Sequence, residues 1–319
     1  MIFVSFLTDL IDYFYANFKR THMKKSILIS LSLVVIFFSF NLKAQQISPY
    51  ISLGEAPESL EQTEKMVINA LEASGFEILG QYHVENNQTL KVIVYSRKDL
   101  QQITLKVKDR GALAAALKVG LKADGPGTQI SYLNPEYLFQ AYLRNSYDAH
   151  SKGLKKVDAD AKAALSPLGQ ENKEFGGSMT VEELREYHYK IMMPYFSDPV
   201  ELKEFTSFEE GVKTIENNLK SKKGHAELVY SLKFSDQKTA VFGIGFMDEE
   251  IGEKQFLPII GESHLAAMPY EIILQGKTAT MLHGRYRLAV HWPELTMGTF
   301  MKIRSTPGDY KDLFEGLCE

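Results

Sequence analysis

One cysteine, Cys318, is all that the 319 residues contain. A single thiol excludes an intramolecular disulfide and any zinc cluster built from cysteines. Oxidising compartments permit disulfides without requiring them, and a chain of this length can rely on its core instead. Basic charge is scarce as well. Lys and Arg number 36 against 40 Asp and Glu, for a formal charge of −4; five of the basic and two of the acidic residues precede Gln45, which leaves −7 on the remainder. Nucleic acid rewards clustered Lys and Arg, so it is excluded as a partner. Biased tracts are missing: 45% hydrophobic and 24% charged residues describe one large or two ordinary globular domains. Catalytic signatures are missing too. No His-x-x-x-His or His-Glu-x-x-His occurs, so no metal is expected. There is no Gly-x-Ser-x-Gly elbow. Gly243-Ile-Gly245 lies in a strand pattern without the third glycine and helix of a dinucleotide site, and no cofactor is implied.

The N-terminus carries the most specific pattern that is present. Met23-Lys24-Lys25 is a basic start, residues 27–40 are apolar and broken only by serines, and Ala44 is a small residue before Gln45-Gln46. This is the layout of a secretory signal peptide. The expected start is Met23, with residues 1–22 an upstream extension, 23–44 the signal peptide with cleavage near Ala44, and a periplasmic or secreted product. The apolar core is shorter than the roughly 20 residues that span a bilayer, so the membrane is a partner only through this segment if it is left uncleaved. No cysteine follows the run, so a lipoprotein anchor has no acceptor.

Downstream, residues 48–57 read as a turn-rich lead-in. Ser59 with Gln62 forms a capping box for a helix with Leu60, Val67, Ala70 and Leu71 on one face, ended by Gly75. Residues 76–85 and 90–96 read as strands about Asn86-Asn87, and 118–122 and 128–133 as strands about the turn at 124–127. Residues 99–117 are mostly helical in character, with 103–107 open between helix and strand. Asn134 caps a helix that Pro135 opens. Residues 146–205 read as a helical connector without strands, its main helix capped by Thr180 and ending near Pro194. The first scheme then returns: a capping box at Ser207 and Glu210, strands at 226–234 and 239–247, a short helix from Ser263, and strands at 270–274 and 278–282. Residues 298–304 read as one more strand and 309–317 as a closing helix.

Leu113-Ala-Ala and Leu265-Ala-Ala open matching phrases. The leucine that ends the following strand stands at 133 in one and 282 in the other. Both halves read helix, strand, strand, helix, strand, strand, helix. The expected class is therefore α+β: two related sheet-plus-helix half-domains, 58–145 and 206–304, joined by the helical connector and followed by a C-terminal helix at 305–319. One conflict stands inside this scheme. Tyr286, Leu288, Val290 and Trp292 alternate with period two as in a strand, whereas the repeat requires a helix there.

At Asn134-Pro135, with Ala141 downstream of a strand, the chain resembles a small bacterial family, the domain of unknown function 302. The resemblance covers roughly residues 58–145 and extends to 206–304 if the repeat holds. It implies a compact α+β domain and no established activity, so no catalytic residue is carried over. The second copy departs from it with Gly284-Arg285 in place of Asn-Pro.

Candidate chemistry gathers in the second half. Imidazole titrates near neutral pH, and His264, His283 and His291 lie close to Arg285 and Arg287, which suit a carboxylate or phosphate. Glu262 is the neighbouring acid, and Tyr286 an aromatic wall. Three readings follow. The leading one is a non-enzymatic binding protein for a small apolar or anionic ligand, with Arg285, Arg287, His291 and Tyr286 at the ligand and His264 and His283 orienting it. The second is an enzyme using His264 or His283 as base, Glu262 as orienter and Arg285 as oxyanion stabiliser. The third is a structural or envelope-interaction protein with no pocket.

Overall fold

The computed structural model describes residues 46–319, and the expected upstream extension and signal peptide lie outside the described residues. In chain order the first elements are β1 (Gln46–Ile47), β2 (Tyr50–Ala56), α1 (Leu60–Ala73), β3 (Glu77–Tyr82), β4 (Leu90–Ser96), α2 (Lys98–Thr104), a 3-10 turn (Gly111–Ala115), β5 (Leu117–Asp124), β6 (Gly127–Leu133) and α3 (Pro135–Leu143). A middle stretch adds α4 (Ser151–Leu165), β7 (Lys173–Phe175), β8 (Met179–Thr180) and α5 (Val181–Arg185). Then come β9 (Val200–Glu204), α6 (Phe208–Lys220), β10 (Ala226–Phe234), β11 (Thr239–Phe246), α7 (Leu257–Ile260) and a second 3-10 turn (Glu262–Ala267). β12 (Tyr270–Gln275), β13 (Thr278–Met281), α8 (Gly284–His291), α9 (Met297–Lys302) and α10 (Thr306–Cys318) complete the chain.

The protein is α+β, with two antiparallel sheets. One runs β3-β4-β5-β6-β2-β7 and the other β10-β11-β12-β13-β9; β1 and β8 form a separate two-residue ladder. β4 is buried at every position except Lys91, and β11 is buried throughout. Such runs suit strands covered on both faces. The capping box of Ser59 and Gln62 forms, and α1 buries Thr63, Val67 and Leu71. At α6 only half of the expected box forms. Ser207 Oγ accepts from Glu210 N at 3.1 Å, while the Glu210 carboxylate accepts from Thr206 N at 2.7 Å instead of from Ser207.

Several local readings are overturned, each for a physical reason. The supposed lead-in at 48–57 contains β2, an interior strand of the first sheet. Leu53 bulges between Ser52 and Gly54, which breaks the period-two pattern by which a strand is recognised. The connector does contain strands: β7 joins the first sheet and β9 the second. β9 is short and largely charged, as edge strands are, and so reads as loop. The helix capped by Thr180 ends at Arg185 rather than near Pro194. Beyond it, Tyr187 and Tyr189 send their hydroxyls to the carbonyls of Ala289 and Leu295, at 3.2 and 2.9 Å. Residues 298–304 are not a strand: Thr296 caps α9, accepting from Thr299 N at 3.1 Å. Asn134 precedes α3 but does not cap it through its side chain, donating Nδ2 to Ser48 O at 2.9 Å. The conflict at 286–292 resolves as helix α8. Every residue from Tyr286 to its end is buried, so no polar face exists to print a 3.6-residue period.

The two sheets share a plan that goes beyond strand order. Tyr142 of α3 meets His291 of α8 at 3.0 Å, and these positions are 149 apart. The same separation relates Tyr137 to Tyr286 and Ala141 to Val290. Tyr137 donates its hydroxyl to Val290 O at 2.7 Å, and Tyr286 to Ala141 O at 3.5 Å. Reciprocal pairs of this kind are the mark of a two-fold contact. The bulges match as well: Leu53 in β2 and Leu202 in β9 keep the same separation, and Leu79 in β3 matches Val229 in β10 one position further on.

Candidate functional site

Where the two sheets meet, the core is polar. Lys118 of β5 donates Nζ to the Glu271 carboxylate of β12 and to Pro269 O, the latter at 3.1 Å. Arg287 of α8 donates to Ala267 O and Pro269 O and brings Nε within 3.6 Å of Glu271 Oε2. Its guanidinium lies 4.1 Å above the Tyr270 ring, which stacks on Tyr310 at 4.0 Å. Burial and the Arg287 charge act against the charged form of Lys118 and bring its amine down to about 8, although Glu271 opposes this. Arg287 is 2% exposed, which removes it from any ligand site.

The three histidines do not form one site: His264 and His291 share Tyr50 and Trp292 as neighbours, and His283 stands apart. His283 caps the start of α8, accepting from Arg285 N at 3.2 Å, while Arg285 itself is exposed. His264 packs against Tyr50, Phe175 and Trp292, with ring centres 5.2, 5.5 and 6.0 Å away. Trp292 directly follows α8, so the eight-residue helix, about 12 Å long, stands between His283 and His264. Glu262 pairs with Lys122 at 2.9 Å. His264 Nδ1 lies 3.2 Å from Gly261 O, which can only accept, so Nδ1 carries the proton and offers no base to Ser263 Oγ at 3.4 Å. Burial lowers the His264 pKa. His291 is buried with Tyr286, and burial, Arg287 and Lys118 hold it neutral. Tyr50 commits its proton to His291 O at 2.9 Å, so at Nδ1 it accepts, and Nε2 takes the Tyr142 hydroxyl. The expected groupings, catalytic and ligand-binding, are therefore not assembled, and Arg285 alone of the four proposed ligand contacts reaches solvent.

A cleft of about 370 Å³ lies elsewhere, between the end of α3 and the segment after α5. Arg144, Arg185, Glu186, Tyr187, Tyr195 and Phe196 supply most of its side chains. Phe196 packs on Tyr142 of α3 and Tyr286 of α8, at 5.4 and 5.9 Å. Arg144 and Arg110 stand over the Phe196 ring at 4.7 and 4.9 Å, and both pair with Asp109. Arg110 also donates to Phe196 O at 2.7 Å. Arg110 and Arg144 have left-handed φ, 54° and 50°, a conformation that costs energy outside glycine and tends to gather at functional positions. Arg144 Nε is buried without a hydrogen-bond partner. Arg185 grips Asp148 with two bonds, at 2.7 and 2.9 Å, and Gln140 with a third, at 2.7 Å. No sequence motif announces this site. Its residues come from separate stretches, and its strain is invisible in the letters.

A second cleft of about 240 Å³ lies on the first sheet, where Lys122, Ser131 and Lys173 face Ser263 and Leu265. Nearby, Glu253 of the loop before α7 is fully buried. It accepts from Tyr82 Oη at 3.1 Å, Phe246 N at 3.2 Å and Glu85 N at 3.4 Å. Burial outweighs these bonds and raises its carboxyl to about 8, and burial with Glu262 raises Glu85 to about 7. A folded-state value above the unfolded 4.5 means the native protein holds protons that the unfolded chain releases. Stability is therefore expected to fall as pH rises from about 4.5 to 8. Urea melts at pH 5 and pH 8.5 should show this fall, and Glu253→Gln should reduce it; an equal fall in the variant would assign it to other groups.

Among solved structures, the chain is similar to the crystal structure of an uncharacterized conserved DUF302 protein from Bacillus stearothermophilus. The TM-score is 0.32 and the identity 13%, over 37% of this chain and 97% of that one. It is the family that the segment around Asn134-Pro135 resembles. No protein-family model and no curated protein matches the chain.

Proposed function

We propose that this chain is an exported, non-catalytic protein of two related halves that binds a small anionic ligand in the Arg144–Arg185 cleft, between the end of α3 and the segment after α5. The observation that carries the reading is the concave site itself. The Arg144 guanidinium stands over the Phe196 ring, Arg185 lines the same cleft, and Arg144 Nε is a buried donor without a partner. Convergent polar groups in a concave site mark a candidate ligand position, and guanidinium suits carboxylate or phosphate. Relatedness of the halves is supported by the matched bulges and reciprocal tyrosine bonds, and export by the layout of residues 23–44.

Two measurements test this. N-terminal sequencing of protein recovered from an exporting host should begin at Gln45. Chemical-shift titration with benzoate and inorganic phosphate should perturb residues around Phe196. Arg144→Gln should weaken the binding at least tenfold, the equivalent of one charge-assisted bond. Binding indifferent to Arg144 and Arg185, or no binding of either anion, would remove this reading.

A further inference from the structure

We infer that the ligand of this cleft is an anionic amphiphile, its acid group at Arg144 and Arg185 and its apolar chain laid along the loop of Ile191, Met192 and Tyr195. The inference rests on the anion-binding reading and adds the ligand's second half.

The loop is an unusual piece of surface. Ile191 is 86% exposed, Met192 97% and Tyr195 44%, so three of the eight large hydrophobic side chains exposed among the described residues fall within five positions. Scattered single cases need no explanation, but a cluster of this kind marks a binding surface. Tyr195 also lines the cleft, and Met192 is three residues from it. At no more than about 3.8 Å per residue, the apolar tip lies within roughly 11 Å of the cleft wall.

The loop's flanks are built into the body. Before the tip, Tyr187 and Tyr189 donate to Ala289 O and Leu295 O; after it, Phe196 O accepts from Arg110. The His188 ring meets Tyr195 edge-on at 4.5 Å. Met192 itself has φ of 65°, left-handed for a non-glycine residue. Fixed flanks hold the apolar tip outward beside an arginine-lined cleft.

The charged groups around the cleft are Arg110, Arg144 and Arg185, with Lys190 on the loop, against Asp109, Asp148, Glu186 and Asp198. Asp148, the partner of Arg185, is largely exposed although Arg185 holds it with two bonds, so an incoming acid group competes with it from the solvent side. A single amphiphile fits these observations better than a bilayer does, because the arginines are recessed and the chain beyond residue 44 carries −7, which disfavours an anionic membrane.

Calorimetric titration of the exported protein with straight-chain carboxylates from acetate to decanoate, each below its micelle concentration, tests the inference. Affinity should rise about two- to fourfold per methylene, as partial to full burial of each predicts. Ile191→Ser with Met192→Ser should flatten the series and leave acetate binding unchanged; both positions are exposed, so folding is preserved. A flat series with Arg144-dependent benzoate binding overturns this inference and leaves the anion site standing. Failure of every anion overturns both. Binding to vesicles containing phosphatidylglycerol without binding of monomeric decanoate would overturn it in favour of a membrane surface.

Discussion

Glu271→Ala is expected to destabilise the protein by about 3–5 kcal/mol, the usual cost of removing one partner from a buried ionic cluster. The size follows from what is left behind. Lys118 and Arg287 are both buried, and Glu271 is the carboxylate that faces both of them. Without it, two cations remain in the core with only backbone carbonyls from Ala267 and Pro269 as acceptors. Glu271→Gln retains an acceptor oxygen and should lose less. Lys118→Met in the Glu271→Ala background should recover part of the loss, because one uncompensated charge is removed. The readout is the free energy from urea melts at pH 7. A loss under about 1 kcal/mol, the range of solvated surface pairs, would mean that water reaches the cluster.

This cluster also shows how the sequence was informative in one respect and mute in another. Strand runs, the Ser59 capping box and the Leu-Ala-Ala repeat are local signals, and they marked out much of the α+β plan. Arg287 could not be placed the same way, since its neighbours are separated from it in sequence. Lys118 and Glu271 stand 153 positions apart, and no local period relates them. Reading Arg285 and Arg287 as one basic patch treated two helix positions as equivalent. Two steps along a helix turn the side chain through about 200°, which puts Arg285 in solvent and Arg287 in the core. The corresponding site in α3 is Leu138, whose apolar character hints that this position faces inward.

The strands β2 and β9 were obscured for a related reason. Each carries a bulge, at Leu53 and at Leu202, and a bulge shifts the alternation that identifies a strand. The bulges nonetheless became the firmest sign of a common plan, because they fall at matched places in both halves. The cleft of Arg144, Arg185 and Phe196 was legible in neither way. It depends on left-handed arginines after a turn and after a helix, where glycine or asparagine is the customary sign.

The second large effect is expected at Gly80, where the edges of the two sheets touch. Gly80 follows the β3 bulge at Leu79, and a β-carbon placed on it would lie 1.9 Å from the carbonyl oxygen of Val229, the bulged residue of β10. The obstacle is backbone, so no rotamer change relieves it, and trimming the Val229 side chain leaves it in place. Gly80→Ala must push one sheet edge away from the other and should cost about 3 kcal/mol or more, at or above the upper end of overpacking penalties. Gly75→Ala is the matched control. That glycine has φ of 80° with nothing within 4 Å of its β-carbon position, so the cost there is backbone strain alone, about 1–2 kcal/mol. Urea melts of the two variants should therefore separate clearly. Equal losses would mean that the sheets do not meet through Gly80 and Val229, and the matched bulges would then have no part in docking one half on the other.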